Sequence, residues 1–242
     1  MKEIAIEVRD LCIRYRGLKS YSIKKNLLHF KREQTDEFEA LKHVSFQVPK
    51  GSILGIIGKN GSGKSTLLNA IAGIFAPDSG EIDLKGNSIS LLSIGVGFQR
   101  ELSGRENILL SGMLLGFTES EVREKTKEII AFAEIGEFID APVRTYSSGM
   151  YSKLAFSITA ILETDVMLVD EVLSVGDSKF KKKSYNKMRD LISDSNRTVL
   201  IVSHNIDTIR DLCDSAMWIH QGEMKMYGMS GEVLPAYEKF MS

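Results

Sequence analysis

An α/β fold is predicted, a parallel sheet flanked by helices with a helical subdomain set into it, and three observations predict it. The runs Ile53-Leu54-Gly55-Ile56-Ile57, Val166 to Val169 and Val199 to Val202 are apolar without polar alternation, the pattern of strands buried on both faces. Segments of helical composition separate them, and alternating strands and helices make a parallel sheet. Between about residues 100 and 161 the character changes to mostly helical, with a capping box from Thr118 to Glu121.

Taken in order, Ile4, Ile6 and Val8 alternate with mostly charged residues, as a half-buried strand does. Val44, Phe46 and Val48 form a second such run. Pro49-Lys50-Gly51 turns the chain into the apolar run at Ile53–Ile57, read as a central parallel strand. A glycine-rich loop follows, and then Leu67, Ile71 and Ile74 at helical spacing, with Leu68 and Phe75 beside them. Phe180 to Leu191 is helical in composition. Ala216 to Ile219, followed by Gln221-Gly222, reads as a hairpin, and Val233 to Phe240 as a short closing helix. The expected organisation is one domain over residues 1–242 with the helical subdomain, about 100–161, inserted.

The composition is that of a water-soluble globular chain, with 43% hydrophobic and 26% charged residues and a net charge of −1. That charge offers no global attraction to nucleic acid, and no nucleic-acid partner is expected. Cys12 and Cys213 stand in no metal-ligand or redox spacing, and reduced thiols are expected. Met1 to Leu11 has no apolar core of the secretory type. The longest apolar stretch, near Ile108 to Phe117, falls short of the roughly 20 residues that a spanning helix needs. A transport role would therefore need another chain to supply the pore.

Gly58-Lys59-Asn60-Gly61-Ser62-Gly63-Lys64-Ser65, followed by Thr66, fits G-x-x-x-x-G-K-[ST] without mismatch, with a strand before it and a helix after it. The glycines let consecutive N–H groups turn inward around a phosphate at a helix N-terminus. Lys64 is placed to reach the β- and γ-phosphates, and Ser65 to offer its hydroxyl to Mg²⁺. Asn186-Lys187-Met188-Arg189 resembles the guanine-reading N-K-x-D, but Arg189 stands where Asp is needed. Tyr15, read as lying just after the first strand, is a candidate to stack on adenine; its alternative is an ordinary strand-end aromatic. ATP and Mg²⁺ are the expected ligands.

Val166 to Val169 ends in Asp170-Glu171. Asp170 is positioned to hold Mg²⁺ through water and Glu171 to polarise the attacking water. The next apolar run ends in Ser203-His204-Asn205. Ligands of parallel sheets lie beyond the carboxyl ends of the strands, so His204 is expected near the γ-phosphate.

These motifs, in this order, resemble the ABC ATPase family over essentially the whole chain. Tyr146-Ser147-Ser148-Gly149-Met150 occupies the place of the family's L-S-G-G-Q signature, and Ser174-Val175-Gly176-Asp177 that of its S-A-L-D loop. The resemblance implies a P-loop NTPase (RecA-like) core and a head-to-tail pairing with a second copy. In that pairing Ser147, Ser148, Gly149 and Met150 cap the partner's ATP, and Asp177 of the S-A-L-D position is a further nucleotide-binding candidate. It also implies a family glutamine that touches Mg²⁺ and water. Gln99 is the candidate; the alternative is a surface residue of the helical subdomain. Y-S-S-G-M followed by L-A-F, D-E-V-L-x-V-G-D, and Gly97-Phe98-Gln99 through Leu102-Ser103-Gly104-Arg105-Glu106-Asn107 are similar to one subgroup, the exporters of O-antigen, capsule and teichoic acid. That likeness implies a peripheral subunit on the cytoplasmic face of the cell membrane, driving integral permease subunits. Rival readings are an ABC ATPase for another cargo, a soluble ABC ATPase, and a non-catalytic binding module.

Arg14 to Arg32 carries seven cations and no acid. With Ile23, Leu27 and Phe30 at i, i+4 and i+7 it reads as an amphipathic basic helix. It is either a solvated surface helix or a contact for anionic lipid or glycolipid headgroups.

Overall fold

A computed structural model describes residues 3–16, 37–91, 97–170, 177–192, 194 and 197–241. β1 (Ile4–Arg16) and β2 (Glu37–Pro49) run antiparallel, and β4 (Ser79–Asp83) flanks β1, giving a sheet of order β2-β1-β4. The second sheet has the order β5-β6-β7-β3-β8-β9, built from β5 (Ile89–Leu91), β6 (Val166–Val169), β7 (Thr198–Val202), β3 (Ile53–Ile57), β8 (Ser215–His220) and β9 (Glu223–Met229). β3 is parallel to both β7 and β8, and β9 closes the edge as the antiparallel partner of β8. The three continuous apolar runs of the sequence are the neighbouring strands β6, β7 and β3.

Helix α1 (Lys64–Ile71) follows β3. The helical lobe contains α2 (Gly104–Leu114), α3 (Glu119–Ala133) and α4 (Ser148–Ile161), with 3-10 turns at Gly136–Asp140 and Val143–Thr145. The capping boxes at Ser103 and Thr118 fix the starts of α2 and α3. The rest comprises α5 (Ser178–Ile192), α6 (Ile206–Leu212) and α7 (Ser230–Met241). One core lies between the sheets, where Leu11, Val44, Val48, Leu54, Ile56, Leu67 and Ile71 meet. A second covers the other face of the larger sheet with Phe180, Met188, Ile209 and Tyr237. The helical lobe has its own core, centred on Ile108, Val122, Ile129, Leu154 and Ile158.

Three sequence expectations are corrected. Tyr15 lies within β1, not after it: the strand passes a left-handed residue, Asp10 (φ 49), where its pairing with β2 shifts register, and then continues to Arg16. Arg14 and Arg16 belong to β1 rather than to a basic helix, because Arg14 stands opposite Glu39 and its Nε donates to the Glu39 carboxylate at 3.0 Å. The remainder of that basic segment, residues 17–36, lies outside the described residues. Finally, α1 stops at Ile71. Gly73 (φ 74) closes it with the Gly73 and Ile74 N–H groups donating to Ala70 and Asn69, so Ile74 and Phe75 are not helical.

Candidate nucleotide site

β3 delivers the chain into the loop at Gly58 (φ 153), where an added Cβ would stand 2.2 Å from the Ile219 carbonyl oxygen of β8. Gly63 (φ 109) is the N-cap of α1, and a Cβ there would stand 2.5 Å from the Ala40 carbonyl oxygen of β2. Only glycine can hold these positions, since L-residues resist the left-handed region and both obstacles are backbone. At Gly61 (φ 75) a Cβ would meet nothing within 4 Å, so that part of the loop opens outward.

The loop fits a phosphate. No side chain caps α1 and no acid lies in its first turn, which leaves its N-terminal N–H groups and their partial positive charge facing the cleft. Lys64 is buried, with Nζ donating to the carbonyls of Gly58 (2.8 Å) and Lys59 (3.0 Å). The buried Ser62 hydroxyl has no hydrogen-bond partner among the described residues. The outer side is braced by the Gly222 N–H, which donates to the Ser62 carbonyl at 2.9 Å. Lys59 points away, its ammonium 5.6 Å from the Phe240 ring centre of α7.

Sheet register brings the other strand ends to the same level. Val169 pairs with Ile201, and Val202 with Ile56, so Asp170 after β6 and Ser203-His204 after β7 stand beside the start of the loop. One cleft is lined by Tyr15, Asn60, Gly61, Gly63, Lys64, Ser65, Thr66 and His204, together with Phe38 and Ala40. The Tyr15 hydroxyl lies 3.1 Å from the Thr66 Oγ1, and Phe75 packs edge-on against its ring. Glu171 and Ser174 to Gly176 lie outside the described residues.

Gln99 is exposed at the entry to the helical lobe and does not line this cleft. Its backbone is clamped by Asn107, whose side chain accepts from the Gln99 N–H (2.7 Å) and donates to its carbonyl (3.0 Å). The serine-glycine turn lies elsewhere, at the head of α4. Ser147 is the N-cap, its hydroxyl accepting from the Met150 N–H at 3.2 Å, and Ser148 and Gly149 form the first turn. Asp177 accepts from the Phe180 N–H at the head of α5 and from Lys153 of α4 at 2.6 Å. The Lys153 ammonium, and then the helix N–H, pull its carboxyl down to about 2.

The family profile described as ABC transporter matches residues 41–174, more than half of the chain. The chain belongs to the ABC transporter family. It is similar to an O-antigen export system ATP-binding protein of Klebsiella pneumoniae, 41% identical over 85% of this chain and 83% of the relative. A protein of the same description from Myxococcus xanthus is 44% identical, with 100% of this chain and 56% of the relative covered. A teichoic acids export ATP-binding protein of Lactococcus lactis is 45% identical over 90% of this chain and 46% of the relative. The chain thus spans about half the length of several curated relatives. A solved ATP-binding subunit of an ABC transporter aligns with a TM-score of 0.73 at 21% identity, over 97% of this chain and 93% of that one. A dimeric ATP-binding cassette bound to ADP and phosphate aligns at 0.70 and 20% identity, over 93% and 98%. The fold is that of the ABC cassette.

Two of the residues in which this turn departs from L-S-G-G-Q, Tyr146 and Met150, have structural partners. The Tyr146 hydroxyl donates to the Phe138 carbonyl at 2.6 Å, and Tyr146 and Met150 both pack against the helical core. Phe38 and Ala40 were not legible as cleft residues. Both depend on a bulge, since Ile13 pairs with Leu41 but Arg14 with Glu39, leaving Ala40 as the extra residue. A register shift of this kind has no local sequence marker.

Proposed function

We propose that the chain is the ATP-binding and ATP-hydrolysing subunit of an exporter, moving a lipid-linked cell-surface polysaccharide through a separate membrane-spanning permease. The observation that carries the ATPase reading is the single cleft in which Tyr15, the loop from Asn60 to Thr66 and His204 meet. The names of the 41–45% identical relatives support the polysaccharide.

Tyr15 stacks on adenine, the Gly58–Thr66 loop wraps the phosphates, and Lys64 exchanges its two loop carbonyls for β- and γ-phosphate oxygens. Ser65 and Asp170 would hold a magnesium ion, which neutralises phosphate charge when bound; Gln99, which does not line the cleft, is not counted among its ligands. A hydroxyl and a carboxylate are hard oxygen donors suited to it, and Mg²⁺ takes few protein ligands beside phosphates. Glu171 orients and polarises the attacking water, and His204 contacts the γ-phosphate. Ser147, Ser148, Gly149 and Met150 close over the nucleotide of a second copy. Asp177 stands at that junction, and its link to Lys153 ties it to the signature helix. The two copies close around ATP and reopen after hydrolysis, and their differential affinity for the closed state drives the partner.

A membrane partner is supported by an apolar groove between the core and the helical lobe, bordered by Ile74, Leu91, Phe98, Leu114, Leu115 and Ile158. Leu114 and Ile74 are exposed, leaving apolar surface for a helix end of the permease. Among the described residues no helix is long and apolar enough to cross a membrane, which fits a peripheral subunit at the cytoplasmic face with the helical lobe, about 100–161, as its inserted docking subdomain. Contact with anionic lipid or glycolipid headgroups rests on the cations beyond Arg16, since Arg14 is paired with Glu39.

The test is the Glu171→Gln chain with saturating ATP and Mg²⁺. Light scattering should report a stable dimer that disperses when nucleotide is removed; a monomer under those conditions would refute the mechanism.

A further inference from the structure

Phe38 is a large apolar ring left 60% exposed at the edge of a cleft lined mostly by polar residues and glycine. Its place follows from register. Phe38 stands directly opposite Tyr15 in the β1–β2 pair, and opposed residues of an antiparallel pair project from the same face with Cβ atoms about 5 Å apart. Arg14 and Glu39, the next pair along, hold that register through their 3.0 Å contact. The bulge at Ala40 presses β2 against the phosphate loop, and Phe38, two residues away, shares the cleft-facing side of the strand.

The two rings are held differently. Tyr15 is pinned at its hydroxyl by Thr66 and at its edge by Phe75, whose ring centre is 6.0 Å away at 87°. Phe38 has no aromatic partner among the described residues. A second ring beside a fixed stacking platform, uncovered and directed into the same cleft, is suited to a flat aromatic ligand.

We propose that Phe38 is the second aromatic contact of the base: the adenine that stacks on Tyr15 also packs against Phe38. Phe38 then sets affinity for the nucleoside half of the ligand, while the loop around Lys64 sets affinity for the phosphates. The inference rests on reading this cleft as the ATP site.

The experiment is calorimetric titration of the whole chain with ATP and, separately, with inorganic tripolyphosphate, using wild type and the Phe38→Ala, Phe38→Tyr and Lys64→Ala variants. Phe38→Ala should weaken ATP about tenfold, the scale of one base–aromatic contact. It should leave tripolyphosphate unchanged, and Phe38→Tyr should recover most of the ATP affinity. ATP affinity unchanged in Phe38→Ala, with Lys64→Ala still abolishing binding, would overturn the role of Phe38 while keeping the site. Equal losses for ATP and tripolyphosphate in Phe38→Ala would overturn it too, because the change would then act on the loop. Undiminished ATP binding by Lys64→Ala would overturn the reading of the cleft itself.

Discussion

The loop at Gly58–Ser65 and the turn at Ser147–Met150 are both glycine-bearing helix starts, and their glycines stand in opposite surroundings. At Gly58 and Gly63 a Cβ would strike backbone of the same chain, at 2.2 and 2.5 Å. At Gly149 the nearest atom to such a Cβ is the Ser147 hydroxyl oxygen at 3.9 Å, and the residue is not in the left-handed region. The head of α1 has no side-chain cap, whereas α4 is capped by Ser147. The first glycines answer to the fold. The space beside Gly149 is open, as the proposed closing over the nucleotide of a second copy requires.

Substitution separates the two cases, beginning with the largest effect. Gly63→Ala combines left-handed strain with backbone overlap and should lower the unfolding free energy by about 3 kcal/mol, read as a fall in the urea midpoint. Gly149→Ala should leave the fold at least as stable as wild type, with a gain of up to about 1 kcal/mol, yet lose ATP-dependent self-association. Equal destabilisation by both would erase the contrast. Next is Ser147→Ala, which removes the cap of α4 and should cost about 1 kcal/mol; an unchanged urea midpoint would mean the cap contributes nothing. The smallest effect is electrostatic. Asp177 sits near 2 in the folded chain against an ordinary 3.8. A depressed carboxylate stabilises the fold above its ordinary value, and that stabilisation is lost as pH falls from about 3.8 through about 2. The Asp177→Asn chain should be less stable than wild type at neutral pH and converge with it in acid titrations followed by circular dichroism. A constant gap across that range would count against the Lys153 pairing.

What could be read in advance was what is encoded locally. The phosphate loop shows because its glycines, lysine and serine lie within eight consecutive residues, Gly58 to Ser65. Strands β3, β6 and β7 show because burial on both faces removes polar residues from short runs. The stop of α1 was present in the sequence as Gly73, although the helical spacing of Leu67 and Ile71 continues through Ile74. The full length of β1 was hidden because Asp10 breaks its alternation midway. Phe38 was hidden more deeply. Its place in the cleft depends on a bulge in one strand and its register against another, and neither leaves a mark on the residues around it.

The order of strands around β3 also bears on synthesis. The strand that carries the phosphate loop has β7 on one side and β8 on the other, and the loop is braced by Gly222 and flanked by Phe240. All of these emerge from the ribosome after the loop itself. A nascent chain halted before β8 contains every residue from Gly58 to Thr66 but lacks the Ile219 and Gly222 backbone that packs against the loop. The backing of the loop is therefore completed only after the last strands have been made.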